Sequence, residues 1–158
     1  MINFSEKEQF VIHQATALLK NAAPETPARW GKMNLMQTVE HLTDFFDVSS
    51  GKLSFPLVTP EDQLPKFKAF LRSDIPFREN TKAPTNVVSE TPAPARSARY
   101  EDAVLQLQQS VLDFELQFKN HPEKETVHPV FGALHYEDWI LLHAKHLQHH
   151  LKQFGLAD

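Results

Sequence analysis

Between Tyr136 and Phe154 apolar residues recur at helical spacing, and five of the chain's nine histidines fall between His135 and His150. An advance of about 100° per residue gathers Trp139, His143, His146, His150 and Gln153 into a stripe about 80° wide. Leu142 flanks that stripe on one side and Ile140, Leu147, Leu151 and Phe154 on the other, so it faces inward rather than to water. Gly155 stands at a C′ position and ends the helix. A helix that turns imidazoles inward needs other elements around it and partners for the ring nitrogens.

The other elements are helical too. Ser5-Glu6-Lys7-Glu8 has the form of a capping box, and Phe10, Val11, Ala15, Leu18 and Leu19 follow at helical spacing, which predicts a first helix from about Glu6 to Asn21. Pro24 and Pro27 stop it. Asn34, with Gln37 three residues on, opens a second helix whose apolar stripe is Leu35, Val39, Leu42 and Phe46, ending near Ser49-Ser50-Gly51. A third runs from about Ala98 to Asn120 on Val104, Leu107, Val111, Leu112, Phe114, Leu116 and Phe118, until His121-Pro122.

Seven prolines interrupt the stretch from Phe55 to Arg96, where only Leu64 to Leu71 reads as a short helix. A connection of this length is either a surface wrap or part of a binding site. With little strand signal, the pattern predicts an all-α chain: a four-helix bundle with a long irregular, proline-rich connection between helices two and three, long enough for a crossover. A length of 158 residues suits one domain, whose folding hides roughly 70% of the unfolded surface.

Residues four apart on a helix are neighbours, so His146 and His150 can direct ring nitrogens at one ion. The same spacing occurs in the H-E-x-x-H zinc helix, but the glutamate is absent from His146-Leu147-Gln148-His149-His150, and that reading fails. A third ligand must come from another helix. His41, on the shoulder of helix two's stripe beside Thr38 and Phe45, is the leading candidate. The competing reading is three hydrogen-bonded core histidines; it must satisfy several buried nitrogens, at about 1–3 kcal/mol for each left unmade. His143, one turn before His146, is placed for a fourth ligand, a hydrogen-bond donor to a ligand or a proton shuttle, of which the donor role is expected, and His149 is expected on the surface. His13, His121 and His135 read as surface or capping residues.

Without cysteine, the chain has neither disulfides nor thiolate ligands, so a metal here is expected to sit on nitrogen and oxygen. A net charge of −4 with scattered lysines and arginines argues against nucleic acid. No apolar run approaches the ~20 residues that span a bilayer. The N-terminal residues lack an export pattern, so a cytoplasmic setting is expected.

The segment from His146 to Gln153 resembles the closing motif of the DinB-like, damage-inducible four-helix superfamily, an H-x-x-x-H pair with an R-G-Q-like tail. Trp30-Gly31-Lys32-Met33-Asn34 leading into Glu40-His41-Leu42-Thr43-Asp44, with His128-Pro129-Val130-Phe131-Gly132 and Trp139, is similar to an uncharacterised domain-of-unknown-function branch of it. The resemblance covers nearly the whole chain. It implies one DinB-like domain over 1–158, with a metal on His41, His146 and His150 and water in the open positions. Lys152 stands where many relatives have Gly, and the insertion from Phe55 to Arg96 belongs to the branch, so no substrate carries over from cousins that include thiol-dependent transferases and isomerases.

Three neutral imidazoles with open positions suit zinc, nickel or iron(II) better than magnesium or calcium. The chemistry expected is activation of water, as in a metal-dependent hydrolase, or polarisation of a thiolate or carbonyl of a small-molecule substrate, as in a transferase or isomerase. Asp44, one turn from His41, is the candidate base or orienting group. Glu40, Glu137 and Asp138 read more simply as solvated helix residues. Gln153 is placed to fix a ring or a water, and His128 to line a pocket mouth or pack the loop. A non-catalytic ligand- or metal-binding bundle and a purely structural metal are the rival classes. Exposed stripes on helices one and three would suit a homodimer, although their apolar residues are also needed for the core.

Overall fold

Asn3, rather than Ser5, caps the first helix: its side chain accepts from the Glu6 N–H at 3.2 Å. The helix then runs as α1 (Phe4–Gln9), a π turn (Phe10–Gln14) and α2 (Ala15–Lys20). This is a computed structural model, and it describes residues 3–81 and 91–158. The wider π turn re-phases the positions after it; Val11, Ala15 and Leu19 are buried, and Leu18, expected on the apolar stripe, is exposed.

The capping box at Asn34 forms as read: Asn34 Oδ1 accepts from the Gln37 N–H and Gln37 Oε1 from the Asn34 N–H, both at 2.8 Å. It opens α3 (Leu35–Ser50), which ends at Gly51 in the left-handed region. Asn34→Ala is expected to lower stability by about 1 kcal/mol in urea denaturation with an unchanged m-value.

A 3₁₀ turn (Glu61–Gln63) and α4 (Leu64–Leu71) follow, then α5 (Tyr100–Asn120), strands β1 (Thr126–His128) and β2 (Gly132–Leu134), and α6 (Tyr136–Gln153). The strands pair antiparallel, Val127 opposite Ala133. The fold is therefore mostly helical, as expected, with a small two-stranded sheet added to it; three-residue strands are too short to show a period of two. Of the long connection expected from Phe55 to Arg96, residues 82–90 lie outside the described residues.

α5 packs along α3, and α6 lies against α1, α2, α3 and α4. One cluster forms the core, with Trp139, Phe46 and Phe114 its largest fully buried side chains. Leu112 and Leu116, expected inside, face outward from α5 at 46% and 43% exposure, because Ala103, Val104, Leu107, Ser110, Val111, Phe114 and Phe118 already fill its buried face. Among the described residues no helix is long and apolar enough to cross a membrane.

The connection is fastened at both ends to helices that carry histidines. At one end Arg72 pairs with Asp138 at 3.2 Å and Lys145 Nζ donates to the carbonyls of Ser73 and Ile75. At the other, Glu40 accepts from the backbone N–H of Arg96 and of Ser97 and from the Ser97 hydroxyl, while Arg96 makes a two-point bond to Asp44. Glu40 and Asp138, read from sequence as solvated, are both buried. Burial pushes the Glu40 carboxyl up, but the three donors and the Arg96 charge outweigh it and hold it below the usual range.

Candidate metal centre

His41 comes from the first half of α3, and His146 and His150 from the last two turns of α6. His146 Nε2 lies 3.0 Å from His41 Nε2 and 3.1 Å from His150 Nε2. The rings meet edge to face, with centroids 4.8–5.1 Å apart. Among the described residues these three side chains are the one group with the reach to hold a shared ion. His150 is buried, whereas His41 and His146 are partly open, so the cluster has a deep side and an accessible side.

Phe45, one turn after His41, sets its ring against His41 at 5.1 Å and His146 at 5.4 Å. This apolar wall desolvates the imidazoles and disfavours their charged forms. Burial pushes His41 down to about 4, against the opposing pull of the Asp44 carboxylate. Burial first, and then the neighbouring imidazoles, hold His146 and His150 well below the ordinary histidine value. At neutral pH all three present lone pairs.

Gln153 orients one of those lone pairs. Its amide N–H donates to the Trp30 carbonyl at 2.8 Å, and its Oε1 lies 2.7 Å from His150 Nδ1. A carbonyl only accepts, so the amide atom facing Trp30 must be nitrogen and the one facing His150 must be oxygen. His150 therefore carries its proton on Nδ1 and turns a bare Nε2 to the cluster. His146 Nε2 faces two neighbours, so a single proton there satisfies only one of them.

The remaining sequence candidates are placed elsewhere. His143 is buried, stacks on Phe46 at 3.8 Å between centroids and bonds the Ser49 hydroxyl at 3.0 Å, so its hydrogen bond goes to α3 rather than to a clustered histidine. The carboxylate of Asp44 is engaged by Arg96. His128 is buried in the hairpin, where its Nδ1 accepts from the N–H groups of Val130 and Phe131. His149, expected on the surface, is half-buried between Trp30 and Phe77. His13, His121 and His135 are exposed, His135 lying 3.3 Å from Glu125.

Burial brings both His128 and His143 down to about 3. A histidine that stays neutral in the fold but titrates near 6.5 once unfolded contributes stability that is complete above about pH 6.5 and is lost as pH falls toward its folded value. Urea denaturation of the metal-free protein should show stability falling from pH 6.5 to pH 4, each of the two contributing a slope approaching about 1.4 kcal/mol per pH unit. His143→Gln, which keeps a donor for Ser49 without titrating there, should make the fall shallower.

Sequence reasoning missed the part played by Trp30 and Gly31, whose backbone meets Gln153, and by Arg96, which occupies Asp44. No periodicity marks them, because all three lie in irregular segments. No curated protein and no solved structure matches the chain. One family model does match, over residues 3–156, and the family is an uncharacterised one, as expected. The chain belongs to the family described as Protein of unknown function (DUF1569).

Proposed function

We propose that this chain is a small cytoplasmic metal-dependent enzyme, a single DinB-like four-helix-bundle domain that holds one divalent transition metal on His41, His146 and His150. Its substrate is a small molecule, and its reaction is of the hydrolase or thiol-dependent transferase/isomerase type. The observation that carries this is the convergence of three imidazoles, one of them with its Nε2 bared by Gln153. The three ligand atoms lie within 4.8 Å of one another, with His146 Nε2 at 3.0 and 3.1 Å from the other two, which is close enough for one shared ion. The all-nitrogen set suits zinc, nickel or iron(II).

When bound, such an ion supplies Lewis acidity toward a water, carbonyl or thiolate. The chain's own residues do the rest. Phe45 keeps bulk water from one flank of the cluster, Gln153 fixes the His150 ring, and the partly open His41 and His146 mark the side of approach. Asp44 acts on His41 through its charge while bonded to Arg96, and His143 supports the cluster from beneath by fixing α6 on α3.

Elemental analysis of untagged protein tests this. About one transition-metal ion per chain is expected, with helicity by circular dichroism surviving removal of the ion by a chelator; a structural metal would instead take the fold with it. No bound metal, even after incubation with zinc, nickel and iron(II), would contradict the proposal and leave the histidines as contacts of a non-catalytic ligand-binding bundle.

A further inference from the structure

Gln153, which decides which nitrogen of His150 is bare, is itself oriented by residues outside their shared helix α6. The segment Arg29–Gly31 crosses the end of α6, where the Arg29 N–H donates to the Gln153 carbonyl at 2.7 Å and the Trp30 carbonyl accepts from the Gln153 side chain at 2.8 Å. Two glycines permit the crossing. A Cβ on Gly155 would meet the Arg29 guanidinium at 2.8 Å, and one on Gly31 would meet Gln153 Nε2 at 2.7 Å. Gly31 also has φ +82°, in the left-handed region that favours glycine.

We propose that the Trp30–Gly31 strap is a positioning device that locks His150 in its Nδ1–H tautomer by way of the Gln153 amide. The chain of causes is short. The strap offers only a carbonyl, which forces the amide nitrogen toward it; the amide oxygen must then face His150, and the proton must sit on Nδ1. Gln153 is 3% exposed, so no water competes for the amide. The atom that a Gly31 methyl would strike is the tip of a flexible side chain, so the fold gives way there first and the amide moves. With the amide displaced, nothing holds the proton on Nδ1, and the tautomer with Nε2–H removes a lone pair from the cluster. The consequence for metal rests on the proposed three-histidine site; the tautomer itself does not.

The test uses full-length, 15N-labelled, metal-free protein at pH 8, where long-range proton–nitrogen correlations show which nitrogen of each histidine carries hydrogen. The wild type should show His150 protonated on Nδ1. Gly31→Ala should release it to a mixture or to Nε2–H, as should Gln153→Met, which keeps the volume and loses the amide. Gln153→Glu, which retains an acceptor for Nδ1–H, should keep the wild-type pattern. Zinc affinity measured in parallel should fall about 10–100-fold in Gly31→Ala and Gln153→Met, as for other groups that orient a ligand. The strap proposal is overturned by Nε2–H in the wild type, or by unchanged tautomer and zinc affinity in the two variants that fold. If the wild type binds no zinc but Gly31→Ala still changes the tautomer, the strap stands and the metal reading falls.

Discussion

His150→Ala should bind zinc at least two orders of magnitude more weakly than the wild type while keeping its helicity. Structural zinc sites with four ligands bind with about 10–16 kcal/mol, so one ligand accounts for about 3 kcal/mol or more, and each 1.4 kcal/mol is tenfold. His150 is the most strictly prepared of the three candidate ligands, being buried, fixed in its tautomer by Gln153, and set with its Nε2 3.1 Å from that of His146. His146→Ala should lose as much, because its nitrogen is the one that meets both others. Isothermal titration with zinc, alongside circular dichroism, checks both. An affinity within threefold of wild type for either variant would place the ion elsewhere.

Trp139→Ala should lower stability by about 3–5 kcal/mol, the range for removing a large buried aromatic side chain. Trp139 is fully buried and lies at the junction of three elements. Its indole N–H donates to Thr126 Oγ1 at 2.7 Å, and the Thr126 hydroxyl donates to the Ser49 carbonyl at 2.8 Å, so the hairpin, α3 and α6 close on one another there. The ring also stacks near His143. Trp139→Phe keeps most of the apolar volume and loses the N–H, and should cost about 1–2 kcal/mol by comparison. Equal losses for the two variants in urea denaturation would show that the polar junction, not packing, dominates.

What was legible in the sequence was local. The Asn34–Gln37 box, the stop at Gly155 and the spacing of His146 and His150 each depend on residues within one or two turns, and each is found as read. The pairing with His41 was also accessible, because an inward histidine on a second helix leaves few other places for a third nitrogen. What escaped depends on contacts far along the chain. Glu40 and Asp138 resemble ordinary solvated helix residues until Arg96, Ser97 and Arg72 are brought to them from the long connection. Leu112 and Leu116 have the spacing of core residues but lie beyond the arc of α5 that α3 and the first helix cover. Trp30 and Gly31 act through backbone atoms, which carry no signature in residue type except the glycine itself.

The measurement that bears most directly on the central claim is X-ray absorption spectroscopy of the zinc-loaded, untagged protein. Nitrogen neighbours at about 2.0–2.1 Å are expected, with the outer scattering pattern of three imidazole rings, reduced to two rings in His41→Ala. A spectrum with one imidazole or none, or one unchanged in His41→Ala, would contradict that claim.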